Sequence, residues 1–214
     1  MNNQLISHHL NLNYFALFNL ELSFNVNLNQ LKSKYFALQQ QFHPDCLLDQ
    51  LKSNQFNANE LNQLTQLIEI LSTYINEAYN ILKQPLLRAI ALLQLNNIQF
   101  DLANQQLPHE FLIKHMEKCD IIDDAICDLQ NLVTSNKCNN TNEHYQENQS
   151  LIHNQLLINI KNEINDEITI LINEIADNFN NNNFAQLKIL ITRLSFNDKL
   201  QQRLEQSIRN LKLL

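Results

Sequence analysis

The sequence contains no glycine among its 214 residues, and this absence restricts the folds that the chain can adopt. Tight β-hairpin turns favour glycine because their backbone takes positive φ angles. Proline is also scarce and occurs only at positions 44, 85 and 108, whereas Leu, Ile, Asn and Gln are abundant. The composition therefore predicts an all-α protein, with few of the turn residues that a sheet would use.

Without glycine, asparagine is the residue expected to supply the left-handed conformations that end helices. The run of four asparagines at 180–183 suits this role. Genome base composition explains the excess of Asn and Ile equally well. A glycine-rich phosphate-binding loop is impossible in such a chain, and no nucleophile or cluster of metal ligands is evident. We therefore expect no enzymatic activity, no metal and no cofactor.

Two amphipathic helices are predicted in the first hundred residues. Asn27, with Gln30 three residues on, resembles a capping box at the start of the first helix. That helix carries an apolar stripe with spacings of 4, 3 and 4: Leu31, Tyr35, Leu38 and Phe42. The second stripe is longer: Leu61, Leu64, Leu67, Ile68, Leu71, Ile75, Ala78 and Leu82. Such helices bury their stripes against each other, which predicts an antiparallel hairpin.

The tripeptide His43-Pro44-Asp45 follows the first of these helices. Proline disfavours the α conformation in the residue before it, so the helix should end at Phe42. His43 and Asp45 should then lie on a stiff turn at the exposed tip of the hairpin. A short apolar segment at 13–18 can lie across the hairpin. The tripeptide can also be interpreted as an ordinary turn with no function, because Pro and Asp are common in turns of any kind.

The remaining chain predicts further helices. Pro85 opens one, with a predicted buried side formed by Leu86, Leu87, Ile90, Leu93 and Leu95. A polar linker at 101–107 leads to Pro108 and to three long helices, at about 108–133, 145–178 and from 184 onwards. Their apolar stripes predict an antiparallel three-helix bundle. The predicted domains are residues 10–96 and 108–214, joined by residues 97–107.

Charge and cysteine usage narrow the classes of partner. The formal net charge is −7, and no block of Lys and Arg occurs, which argues against nucleic-acid binding. No apolar run approaches 18 residues, and the first residues lack the pattern of a signal peptide. The four cysteines show no CxxC spacing. We therefore expect a cytoplasmic monomer that has free thiols and contacts no membrane.

The His-Pro-Asp turn between two such helices resembles that of a J domain, the module by which co-chaperones stimulate a DnaK-type ATPase. Residues 75–89 contain the run Pro85-Leu86-Leu87-Arg88-Ala89, which is similar to the end of the J domain in the HscB family. Residues 111–117 and 194–200 are similar to the carboxyl-terminal bundle of that family. The resemblance covers about residues 13–211.

The resemblance implies a co-chaperone of iron–sulfur cluster assembly. The J domain would stimulate the ATPase of a DnaK-type (HscA-like) chaperone, and the bundle would deliver an iron–sulfur scaffold protein (IscU-like) to it. Any cluster would sit on the client. Two other hypotheses for the function remain: a J protein that serves a different client, and a helical scaffolding protein with no chaperone role.

The resemblance also implies which residues contact the chaperone. These are His43, Pro44 and Asp45 in the turn, with Lys32 and Lys34 giving the preceding helix a positive face. A carboxylate held on a turn can accept a bidentate arginine, and lysines speed encounter with an acidic surface. The glutamines at 39–41 and Cys46 replace basic residues that relatives often have, so electrostatic steering should be weak. The two lysines are equally compatible with an ordinary solvated face.

The family pattern for the scaffold-binding site maps onto Leu112, Ile113, Met116, Glu117, Asp120 and Phe196. The five residues from 112 to 120 share one helix face, offset from the stripe through residues 115, 119, 122 and 126. An apolar patch outside the core and rimmed by carboxylates is typical of a partner site. A wide core stripe has the same appearance in sequence, so both interpretations stand at this stage.

Overall fold

The computed structural model describes residues 2–43, 58–135 and 143–212. Within these ranges the chain is helical and contains no β-strand, which confirms the all-α prediction. A single 3₁₀ turn, Leu102–Asn104, lies in the segment that the sequence predicts as a linker. The described α-helices are α1 (Asn2–Leu10), α2 (Tyr14–Leu17), α3 (Leu28–Phe42), α4 (Ala58–Lys83), α5 (Pro85–Leu95), α6 (His109–Ser135), α7 (Glu143–Asn180) and α8 (Phe184–Lys212).

The chain divides into two compact units, Met1–Phe100 and Asp101–Leu214. This division falls inside the predicted linker at 97–107. The exact limits of the two domains stay a prediction.

Helix α4 forms the centre of the first unit. Helices α1, α2, α3 and α5 all pack against it. Its buried residues include Leu71, Ile75, Ala78 and Leu82, as the apolar stripe predicts. The short α2 buries Phe15 and packs against α4, so the segment at 13–18 lies on the α4 side of the predicted hairpin.

The ends of α3 follow from its sequence. The Asn27 side chain accepts hydrogen bonds from the backbone N–H groups of Asn29 and Gln30, which satisfies two donors that the helix itself cannot use. Leu31 and Phe42 are buried at either end of the stripe. The helix ends at Phe42, and His43 is extended with φ −63° and ψ 131°. This is the conformation that a following proline requires.

Helix α5 begins at Pro85 as predicted, but its buried side differs from the prediction. Leu95 is 37% exposed, whereas Ala89, Leu92 and the side chain of Arg88 are buried. Leu86, Leu87 and Ile90 are only half-buried. The predicted side is therefore confirmed at Leu93, which is buried, and wrong at Leu95, whose place on the buried side is taken by Arg88 and the small Ala89.

Helices α6, α7 and α8 form the second unit, in which α7 contacts both of the others. The observed ends of α6 and α7 lie within two residues of the predicted ends. The core of the second unit combines residues from all three helices: Ile122, Ala125, Leu129, Leu157, Ile160, Ile164, Leu200 and Leu204. Cys119 and Ile126 pack against this core as partly buried residues. The predicted three-helix bundle is therefore confirmed.

Three asparagines take the left-handed conformation: Asn19, Asn97 and Asn182 have φ angles of 47°, 57° and 54°. Each follows the end of a helix, and Asn182 lies in the run at 180–183 that the sequence singles out. The prediction that asparagine replaces glycine at helix ends is confirmed at these positions.

No helix in the part of the chain that the structure describes is both long enough and apolar enough to cross a membrane.

Candidate functional site

The first candidate surface lies on α3 and at its end. His43 is exposed directly after the helix, while Pro44 and Asp45 lie outside the described residues. Lys32 is also exposed, and its Nζ lies 5.9 Å from the centre of the Phe36 ring. Lys34 is half-buried and donates a hydrogen bond to the Asn19 carbonyl. Of the two predicted lysines, Lys32 is thus the more accessible to a partner.

Phe36 is a feature of this surface that the sequence analysis missed. Its side chain is 56% exposed, one helical turn beyond Lys32 on the same face of α3. The signal was present in the sequence, because Phe36 does not belong to the stripe that runs through Tyr35 and Leu38. The accessible face of α3 is therefore partly aromatic, while the weak electrostatic steering expected from its glutamines stays a prediction.

Polar contacts fix α3 against α4. The Tyr35 hydroxyl and the Gln39 side-chain amide both donate to Oδ1 of Asn76, at 2.9 and 2.7 Å. The Tyr35 ring also stacks on Tyr79, with centroids 4.1 Å apart. Because α3 is held along its length, its outward face and the position of His43 are fixed by the core of the first unit.

The second candidate surface lies on α6. Met116 and Ile113 are 65% and 44% exposed, Leu112 is half-buried, and Glu117 and Asp120 are exposed. The core of the bundle is formed by the opposite side of the helix, through Ile122 and its neighbours. The structure therefore excludes a core position for Met116 and Ile113 and leaves an apolar patch with carboxylates beside it.

Phe196, the remaining residue predicted for this site, lies on α8 and is half-buried. Its ring meets the ring of His115 edge-on, at 5.2 Å between centroids, and that of Phe111 at 6.1 Å. The contacts of Phe196 are thus with the α6 side chains that flank the patch, and no ring or polar contact joins it to Met116. The structure brings the five α6 residues onto one face and sets Phe196 at its border.

A cavity of about 470 Å³ between α6, α7 and α8 was not foreseen from the sequence. Phe111, His115, Arg193 and Glu167 are among its lining residues. Burial lowers the pKa of His115, and the nearby Lys118 ammonium lowers it further, while Glu167 acts in the opposite direction. This shift favours the neutral imidazole of His115. No pattern in the sequence indicated that these residues from three helices would meet.

The described parts of the chain contain no group of three or more His, Cys, Asp or Glu side chains that could hold a metal ion. Cys119 and Cys127 are free thiols. Burial raises the pKa of Cys119, which disfavours the reactive thiolate. Cys46 and Cys138 lie outside the described residues.

No family model matches the sequence. Curated relatives are similar, however. A co-chaperone protein HscB homolog from Haemophilus ducreyi is 38% identical over 110 residues, which are 49% of this chain and 56% of that protein. The homolog from Colwellia psychrerythraea is 36% identical over 117 residues, 53% of this chain and 60% of the relative. The homolog from Chromobacterium violaceum is 33% identical over 128 residues, 59% of this chain and 67% of the relative.

Two solved structures share the fold over almost the whole chain. The chaperone HscB from Vibrio cholerae has a TM-score of 0.68 at 22% identity, covering 94% of this chain and 99% of that one. The human co-chaperone protein HscB has a TM-score of 0.65 at 20% identity, and the match covers 91% of this chain and 81% of the human chain. These likenesses confirm an amino-terminal J domain followed by a carboxyl-terminal helical bundle.

The sequence matches span 56% and 60% of the first two relatives, so they do not extend over the full length of those proteins. The match to the Chromobacterium violaceum protein reaches two thirds of its length at 33% identity. All three relatives are named as co-chaperones, and the fold agrees with that of two HscB structures. The chain therefore belongs to the HscB co-chaperone family.

Proposed function

We propose that this protein stimulates the ATPase of a DnaK-type (HscA-like) chaperone and delivers an iron–sulfur scaffold protein (IscU-like) to it in the cytoplasm. The J domain acts on the chaperone and the bundle holds the scaffold protein. The chain itself catalyses no reaction and needs no cofactor, and the cluster belongs to the scaffold protein.

The observation that carries this proposal is the exposure of His43 at the end of α3, where the helix stops before proline. Because His43 is exposed, a second protein can contact its side chain without rearrangement of the core of the first unit. Lys32 and Phe36 extend the accessible face along α3, with a cation and an aromatic ring 5.9 Å apart. Asp45, which we expect to accept an arginine of the chaperone, completes the proposed docking surface.

The proposed scaffold-binding surface consists of Leu112, Ile113, Met116, Glu117, Asp120 and Phe196. Its support is the exposure of Met116 and Ile113, which take no part in the bundle core. Apolar side chains surrounded by carboxylates suit a partner that has an apolar patch with basic residues at its edge. The bundle is therefore proposed to bind the scaffold protein through α6 and the neighbouring Phe196.

The test is single-turnover ATP hydrolysis by the cognate DnaK-type chaperone in the presence of the scaffold protein. The parent chain should accelerate hydrolysis at least about tenfold, whereas His43→Gln should give a rate close to that of the chaperone alone, since the contacting imidazole is lost. His109→Gln is the matched control, because His109 is also exposed but lies in the second unit.

Equal rates with the parent and with His43→Gln would remove the proposed action on the chaperone. A parent that stimulates hydrolysis while showing no binding to the scaffold protein would favour the second candidate, a J protein that serves a different client.

A further inference from the structure

The guanidinium of Arg193 lies at the wall of the cavity in the bundle, and no polar partner for it is found among the described residues. Its Cζ atom sits 5.0 Å from the centre of the Phe111 ring, and its Nε is buried without a hydrogen-bond acceptor among the described residues. A buried donor on a charged group that stays unpaired is costly, and native structures rarely leave one unexplained. The described residues therefore leave the Nε donor of Arg193 open to an acceptor from another molecule.

The other two cations at this cavity are already paired within the chain. Lys118 contacts Glu167 at 2.5 Å, and Lys114 contacts Glu110 at 3.0 Å. Arg193 forms no ion pair with any carboxylate that the structure describes. The positive charge available to an incoming group is thus that of Arg193.

His115 supplies a second unsatisfied atom at the same cavity. Its Nδ1 is buried and has no partner among the described residues, although it can carry a proton in one tautomer. Phe111 links the two groups, since its ring stacks on that of His115 and underlies Arg193. A cavity of about 470 Å³ with two unpaired nitrogen atoms at its wall is roomy enough for a side chain and provides polar partners for it.

We propose that this cavity receives a carboxylate side chain of the scaffold protein, with Arg193 as its principal partner. This inference rests on the proposed function. The location supports it, because Phe111 and His115 form the cavity wall and also contact Phe196 of the proposed scaffold-binding surface. A client that covers Phe196 can thus place an aspartate or glutamate in the cavity that Phe111 and His115 line.

The chemistry of the remaining lining residues permits such a ligand. The charge of Glu167 is balanced by Lys118, and Glu167 also accepts a hydrogen bond from the Asn197 amide at 3.2 Å. Glu174 is the acidic side chain at the cavity that no such pair neutralises, so the carboxylate should approach from the Arg193 side. A planar guanidinium can bind a carboxylate through two parallel hydrogen bonds, which a lysine cannot reproduce.

The experiment measures the dissociation constant of the full chain for the scaffold protein by calorimetric titration. Arg193→Gln should raise this constant about tenfold, and Arg193→Lys should give an intermediate value, because the charge stays but the paired geometry is lost. Arg203→Gln is the matched control. It lies on the same helix, and its guanidinium is already bound to Asp123 at 2.6 and 2.7 Å, so its removal should leave scaffold affinity unchanged.

A salt series separates a direct contact from mere support of the Phe111 ring. If Arg193 binds a carboxylate, the affinity of the parent should fall with salt more steeply than that of Arg193→Gln. Equal affinities for Arg193→Gln and Arg203→Gln, or equal salt slopes for the parent and Arg193→Gln, would overturn the inference and leave the proposed function intact. Failure of the parent to bind the scaffold protein would overturn both.

Discussion

Arg88 is buried where α4 passes into α5, with only 6% of its surface exposed. Its Nη1 donates to the Leu82 carbonyl at 2.6 Å, and its Cζ lies 4.9 Å from the centre of the Phe24 ring. Burial lowers the pKa of the guanidinium, yet arginine stays charged in proteins. One side chain thus satisfies an end carbonyl of α4 and joins α5 to the segment that precedes α3.

Replacing Arg88 by alanine should lower the free energy of unfolding of the first unit by about 2–4 kcal/mol, because a charged hydrogen bond, a cation–π contact and packing are lost together. Urea denaturation followed by tyrosine fluorescence suits this test, since the first unit holds four of the five tyrosines: Tyr14, Tyr35, Tyr74 and Tyr79. Lys83→Ala, at the exposed end of α4, should change the unfolding free energy by less than about 1 kcal/mol. Equal midpoints for the two variants would contradict a stabilising role of Arg88.

At the scale of the helices, the three left-handed asparagines share one hydrogen-bond pattern. After α5, the N–H of Ile98 donates to the Leu93 carbonyl and that of Asn97 to the Gln94 carbonyl, both at 2.9 Å. The same 6→1 and 5→2 bonds surround Asn19 and Asn182. This is the Schellman arrangement, in which glycine is usual. A chain without glycine thus ends its helices in the ordinary way, with asparagine at the left-handed position.

Asn182→Ala should destabilise the bundle by about 1 kcal/mol, because alanine pays a larger steric cost at positive φ than asparagine does. Asn182→Gly should be at least as stable as the parent, since glycine has no Cβ. Asn181→Ala is the control, because Asn181 occupies the same turn but is not among the positive-φ residues. Urea denaturation followed by circular dichroism measures all three, and identical losses at 181 and 182 would contradict this explanation.

Most helices could be predicted from local signals. The stripe of α4, the cap of α3 at Asn27 and the prolines at the starts of α5 and α6 act within a few residues, so the sequence reports them directly. The contacts among Phe111, His115 and Arg193 could not be foreseen. They depend on how separate helices pack, which no periodic pattern encodes. For the same reason, the sequence alone could not separate a core position of Met116 from an exposed one.

At the scale of the whole molecule, the two proposed docking surfaces belong to different compact units. His43 follows α3 in the first unit, and Met116 lies on α6 in the second. Each surface is built on helices held by a core of their own. Under the proposed function, one chain that carries both surfaces provides a high local concentration, because a bound scaffold protein would be brought to the chaperone along with the J domain.

This coupling predicts that two damaged chains cannot replace one intact chain. An equimolar mixture of His43→Gln and the double variant Ile113→Ala/Met116→Ala contains both surfaces, but never on the same molecule. The reference is the parent chain at half the total protein concentration of the mixture. Scaffold-dependent stimulation of ATP hydrolysis by the mixture should be at least about tenfold lower than that of this reference. The reason is that a linked pair of surfaces has an effective concentration of about a millimolar, which the mixture loses.

The control mixture combines His43→Gln with Ile152→Ala. Ile152 is 65% exposed, as Met116 is, but lies on α7 outside the proposed scaffold-binding surface. Since the Ile152→Ala chain keeps both surfaces, its mixture should match the parent at half concentration. If the first mixture performs as well as this control, delivery does not require the two surfaces on one chain. The J domain and the bundle would then act on the chaperone and the scaffold protein as separable modules.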